Sequence, residues 1–195
     1  TGVVVIRFAS SATTDGASFN TVKNCIIIGS RSAATSTVTT YGVYSGTSGT
    51  STVTTSGQSD NNDNLTIENN EIRRCAYAIY CAGTSTNYMD NLIIRNNIIG
   101  SATAADDVST RGIYVQNTQA ITTPGASVAI LEGNDIRGTQ SSSSTTAING
   151  IEIANGNAGL ICRANKIHDI VQPESLGRGA YGIHVTGSGN NSGVT

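Results

Sequence analysis

Five stretches of this chain align without gaps, and four of them match one short template throughout: apolar, any, apolar, any, any, Asn, any, Ile. They are Asn20–Ile27, Leu65–Ile72, Leu92–Ile99, Ala129–Ile136 and Leu160–Ile167. An apolar residue at every second position is the period of a half-buried strand and not of a helix. Composition agrees: Ile occurs 22 times against five Leu. β-branched side chains suit a pleated surface and lose freedom in a helix. Repetition at roughly thirty residues, with two or three short strands per unit, describes a solenoid whose layers bury one another.

Downstream of each template copy comes a second short strand: Gly42–Tyr44, Ala78–Cys81, Gly112–Val115, Gly150–Ile153 and Gly182–Val185. The pattern predicts that the small residue and the third position face out, with Ile or Val facing in. The sixth template position reads Cys25, Asn70, Asn97, Asn134, Asn165. An Asn at a strand bend can satisfy its own turn and also its copy one layer away. The fourth position, expected to point outward, reads Lys23, Glu68, Arg95, Glu132, Arg163, and its sign alternates at every step. Parallel strands stacked in register set equivalent residues ~4.8 Å apart, where like charges repel, so alternation is what such a stack requires.

The template followed by Gly-Ile-x-Val resembles the right-handed parallel β-helix repeats of the pectin-lyase-like superfamily, from Val3 to Val194. The resemblance implies an all-β chain folded as a right-handed, single-stranded parallel β-helix of about five coils with loop insertions. Residues 1–195 are read as one such domain, since no linker divides them. Segments 30–40, 101–110, 139–146 and 171–180 should leave from one corner, and 46–62 from another. The Ser/Thr run at 141–146 suggests a segment without a packed core. Both ends fall inside strand patterns and no basic-then-apolar leader is present. The expectation is therefore an internal piece of a longer solenoid, or a unit that stacks end to end on adjacent coils or copies.

A net charge of −2, with 12% charged residues, disfavours a nucleic-acid partner, and no apolar run reaches the ~18 residues of a membrane span. Cys25, Cys81 and Cys162 fall on inward positions, and Cys75 and Cys81 are near enough in sequence for a bridge within one coil. No Cys-x-x-Cys pair or His spacing marks a metal site.

Three constellations bear on function. Tyr44, Tyr80 and Tyr114 share one column, expected on the outer face. Such rings can stack on one another or offer flat faces to sugar rings, so they are the candidate carbohydrate-binding residues. The column continues as Glu152 and His184, near Arg111. A polysaccharide lyase needs a cation, Ca²⁺ or Arg, on the uronate carboxylate and a base for the C5 proton, so Arg111, Glu152 and His184 are the candidate catalytic residues. The superfamily's cluster of acidic calcium ligands has no match here. Glu68 and Glu132 fall near the ~6.5–9.5 Å separation of an inverting hydrolase, with Arg95 between them. The Thr-rich tracts at 35–40 and 52–55 lie in loops rather than in a column, which argues against an ice-binding face. The reading favoured by these features is a secreted or cell-surface β-solenoid segment, a rigid structural or interaction module that contacts glycan and needs no cofactor. The alternative is the substrate-binding part of a polysaccharide lyase or glycoside hydrolase, and Ca²⁺ enters only there.

Overall fold

Wherever the template places alternating apolar residues, the chain forms a strand of two or three residues, and equivalent strands lie side by side. The structure is a computed structural model that describes residues 2–9, 16–30, 39–46, 62–120, 129–140, 147–172, 179–187 and 191–195. One short sheet contains Thr21–Lys23, Thr66–Glu68, Ile93–Arg95, Ile130–Glu132 and Ile161–Arg163 in that order. A second contains Ile26–Ile28, Glu71–Arg73, Ile98–Ile99, Asp135–Ile136 and Lys166–Ile167. The long sheet stacks Gly2–Phe8, Thr39–Ser45, Tyr77–Ala82, Arg111–Gln116, Ile148–Ile153 and Ala180–Val185. Met89–Asp90 pairs with Thr118–Gln119, and Thr139–Gln140 with Ile170–Val171. Every ladder between these strands is parallel. Among the described residues there is no α-helix, only a single 3₁₀ turn at Ala104–Asp106. An all-parallel stack of short strands fits a β-solenoid.

The register follows the template. Val22, Ile67, Ile94, Leu131 and Cys162 form one column, and Lys23, Glu68, Arg95, Glu132 and Arg163 the next. Apolar columns from the three sheets converge on one core, which includes Ile67, Ile72, Ile79, Ile94, Ile113 and Leu131 at 0% exposure.

Between the two short strands the backbone turns through a left-handed residue. Asn24, Asn69, Asn96, Gly133 and Ala164 hold φ of 57°, 60°, 55°, 65° and 53°. Asn and Gly tolerate this region best, so the residue before the ladder Asn is as constrained as the Asn itself. The ladder then satisfies the bend. Backbone N–H groups of Cys25, Asn70, Asn97 and Asn134 donate to Oδ1 of Asn70, Asn97, Asn134 and Asn165, over 2.9–3.1 Å. The same Oδ1 atoms of Asn97, Asn134 and Asn165 accept from Nδ2 of the preceding Asn. The second Nδ2 proton of Asn70, Asn97 and Asn134 reaches back to Val22, Ile67 and Ile94 carbonyls.

Two expectations are corrected, and one open pairing is resolved. The small residue of the second strand faces inward. A Cβ on Gly112 would lie 2.5 Å from the Gly150 carbonyl oxygen and 2.7 Å from Ile136 Cγ2, and Gly42 and Gly150 meet Ile72 and Ile167 in the same way. An Ile of the second short sheet therefore occupies the space that a side chain would need. Cys75 and Cys81 are not bridged, and none of the four cysteines is. The Cys75 thiol donates to the Arg73 carbonyl, while Cys81 sits in the next strand of the core. Cys25 is exposed, because no layer covers its side of the stack among the described residues. The tracts at 47–61 and 141–146 lie outside the described residues.

Asn134→Ala leaves the Asn97 backbone N–H and Nδ2 without their buried acceptor, and we expect a loss of about 3 kcal/mol. Ala164→Gly relieves the left-handed Cβ contact and should gain ~0.5–1 kcal/mol. Urea melts of the two variants check both signs.

Candidate functional site

In the long sheet two consecutive residues, such as Gly42 and Val43 or Ala78 and Ile79, face the core. The residues flanking such a pair therefore emerge together on the outer face. Two adjacent outer columns result. One is Val4, Tyr41, Tyr77, Arg111, Asn149, Tyr181, and the other is Arg7, Tyr44, Tyr80, Tyr114, Glu152, His184.

The rings form a double stack. Tyr44 and Tyr80 lie 5.1 Å apart at 6°, Tyr80 and Tyr114 4.6 Å apart at 4°, and Tyr41 and Tyr77 5.2 Å apart at 26°. Across the columns the contacts are edge-to-face, as between Tyr41 and Tyr44 at 4.9 Å and 72°. Of the two roles open to such a column, mutual stacking is the one present between these rings. Tyr44 and Tyr80 are 0% and 1% exposed. Rings stacked face on face along the solenoid turn those faces toward each other, and a sugar has no access to them. Tyr114 alone of the three is partly exposed.

At the C-terminal end of the stripe the chemistry changes from aromatic to ionic. Arg111 Nε donates to Glu152 Oε2 in a charged hydrogen bond. Its Nη1 donates to the Tyr77 hydroxyl at 2.5 Å, and its guanidinium carbon lies 5.0 Å from the Tyr77 ring centre. Asn149 Nδ2 donates to the same Glu152 oxygen at 2.6 Å. The Arg111 and Glu152 side chains are only 17% and 9% exposed. A carboxylate so held is a counter-ion and not a free base. His184 follows Glu152 in register and stacks on Tyr181 at 4.4 Å and 17°. The structure thus brings Arg111, Glu152 and His184 into adjacent layers, with the first two committed to each other.

The charged column is paired in alternate steps. Arg95 meets Glu68 at 3.2 Å and Arg163 meets Glu132 at 2.8 Å, so both carboxylates of the hydrolase candidate are held by guanidinium groups. Asp135 contacts Lys166 at 3.8 Å and also His168 Nε2 at 3.0 Å, and His168 Nδ1 meets Asp169 at 2.8 Å. Among the described residues no group of three His, Cys, Asp or Glu side chains converges as a metal set. Burial pushes the Cys75 thiol up to about 12, which leaves almost no thiolate near neutrality.

Sequence reading missed a second ladder at another corner. Asn157 Oδ1 accepts from the Thr118 backbone and hydroxyl, and Asn191 Oδ1 accepts from the Asn157 backbone and Nδ2. Asn62 Oδ1 takes the Ala17 N–H in a similar way. The signal was present: an Asn stands three residues before Leu65, Leu160 and Val194. A shallow groove lies over the first bend, where Asn69 Nδ2 donates to Asn24 Oδ1 beside exposed Ile26 and Ile98.

No family model, curated protein or solved structure matches this chain. Among the described residues no helix is long and apolar enough to cross a membrane.

Burial raises the phenol pKa of Tyr41, Tyr77, Tyr80 and Tyr114, the last to about 12. In the unfolded chain these phenols ionise near ~10, so above that pH the unfolded state loses protons that the folded state keeps. Their contribution is complete below about pH 10 and should fall as pH rises toward about 12. Melting temperature against pH, read beside phenolate absorbance, should show ionisation of these rings coinciding with unfolding.

Proposed function

We propose that this chain is part of a right-handed, single-stranded parallel β-helix of about five coils, of the pectin-lyase-like type. In this reading it serves as a rigid extracellular or cell-surface module that contacts glycan without turning it over. The observation that carries the reading is the buried Arg111–Glu152 pair, braced by Tyr77 and Asn149. A lyase or hydrolase needs its cation and its base free to meet substrate, whereas here each neutralises the other. The Glu68–Arg95 and Glu132–Arg163 pairs support the same conclusion for the outer wall. Stacked parallel layers resist bending, which suits a spacer. The aromatic surface that remains for a sugar is the end of the stripe, where Tyr114 is partly exposed and Tyr181 is 39% exposed beside His184.

The test is a panel of immobilised uronate and neutral polysaccharides, read for retention and for released product. Retention without release is expected, weakened several-fold by Tyr114→Ala. Unsaturated oligosaccharides or new reducing ends in the eluate would establish the enzymatic alternative. Retention that survives Tyr114→Ala and Tyr181→Ala together would remove the aromatic end from glycan contact.

A further inference from the structure

Asparagine holds the bends of this fold, and it is also a chemically labile residue. The backbone nitrogen of the following residue can attack the side-chain carbonyl carbon and expel ammonia. The attack needs a follower with little bulk, a follower N–H that no acceptor holds, and a carboxamide free to turn. The first ladder denies the last two. The N–H groups that follow Asn70, Asn97, Asn134 and Asn165 donate to the carbonyls of Cys25, Asn70, Asn97 and Asn134 over 2.8–2.9 Å. Each of the four carboxamides is itself anchored through Nδ2 to a backbone carbonyl.

Two asparagines of the chain stand before glycine, Asn149 and Asn155. Glycine has no Cβ to hinder the attack, so both pairs are candidates by sequence. The structure separates them. Asn149 lies within the strand Ile148–Ile153, is 1% exposed, and donates through Nδ2 to Glu152. Its follower Gly150 is packed so closely that a Cβ would lie 2.5 Å from Ile167 Cγ2 and 2.6 Å from the Gly182 carbonyl oxygen. Asn155 and Gly156 instead form a half-buried turn after that strand, with Gly156 at φ 77°. Among the described residues no backbone carbonyl or side chain accepts the Gly156 N–H, and no donor reaches the buried Asn155 Oδ1. All three conditions meet at this pair.

We propose that Asn155–Gly156 is a site of spontaneous covalent modification, where the Gly156 nitrogen closes a succinimide on Asn155 Cγ and water reopens it to isoaspartate and aspartate. The bond from Gly156 N to Asn155 Cγ forms, the Cγ–Nδ2 bond breaks, and Nδ2 leaves as ammonia with the Gly156 amide proton. One water then opens the ring at either carbonyl. Opening at Cγ gives aspartate. Opening at the backbone carbonyl carbon gives isoaspartate, with the main chain rerouted through Cβ and Cγ. That product converts the Asn155 carbonyl, which accepts the Asn117 N–H at 2.9 Å, into a free carboxylate. The change therefore falls on a hydrogen bond between two layers. It is independent of glycan contact, so the polysaccharide panel and the following experiment fail separately.

The test ages the folded full chain in mildly alkaline heavy-oxygen water, then digests it at low pH and maps the peptides by mass spectrometry. Asn155 should take up one heavy oxygen and yield isoaspartate, at least several-fold faster than Asn149 and the ladder asparagines. In urea, where the strand no longer shields it, Asn149 should rise to the rate of Asn155. Asn157 shares a peptide with Asn155, and Asn155→Gln assigns the signal, because the longer side chain closes a larger ring and the signal should vanish. Equal rates at Asn149 and Asn155 in the folded chain, or no modification at Asn155, would overturn the proposal. So would a difference that persists in urea, a signal that survives Asn155→Gln, or aspartate formed without isoaspartate, the mark of direct hydrolysis.

Discussion

The bend between the two short strands is the constraint on which the stack depends. Each bend turns a backbone N–H inward, away from water, where an unsatisfied donor costs about 1–3 kcal/mol. No strand ladder reaches that group, so the next layer supplies a carboxamide instead: Asn70 serves Cys25, Asn97 serves Asn70, Asn134 serves Asn97, and Asn165 serves Asn134. Asn is suited because it has an acceptor for the layer before it and two donors to hold itself there. Asp would lack the donors, and Gln would reach too far. The layer is thus defined by polar satisfaction as much as by Ile packing, and the second ladder through Asn157 and Asn191 repeats the solution at another corner.

The outer face obeys the same stacking rule with different chemistry. Equivalent residues meet their own kind one layer away, and each residue type has to tolerate that meeting. Tyrosines do so by stacking, as in Tyr44–Tyr80–Tyr114, and charges do so by alternating, as in Glu68–Arg95. Where the aromatic column ends, Arg111 joins the two regimes, with its guanidinium over the Tyr77 ring and bonded to Glu152. Residues that resemble binding or catalytic groups in isolation are here engaged by their neighbours. This engagement is what supports the proposed spacer and contact role.

Much of this was legible in the sequence because the template has a fixed length from its first apolar residue to its Ile. That interval aligned the Asn and charge columns, and the pairing of Lys23, Glu68, Arg95, Glu132 and Arg163 follows it residue by residue. Orientation in the long sheet was not legible. Strict alternation put Gly42 and Gly112 outside, whereas two consecutive inward residues place them under Ile72 and Ile136. The loss of alternation there also moves Tyr41 onto the same face as Tyr44, and the two edge-to-face columns bury rings that a single column would have left open. Burial of this kind depends on packing between columns, which spacing along the chain does not encode.

The most direct measurement is the set of long-range nuclear Overhauser contacts of the Asn97 side-chain amide, with those between neighbouring strands of the first short sheet. Stacked parallel layers predict cross-peaks from Asn97 to both Asn70 and Asn134, and amide contacts linking Ile67, Ile94 and Leu131 in sequence. Strong Hα–Hα contacts between those strands, the mark of antiparallel pairing, or an Asn97 amide with neither partner, would contradict the stack.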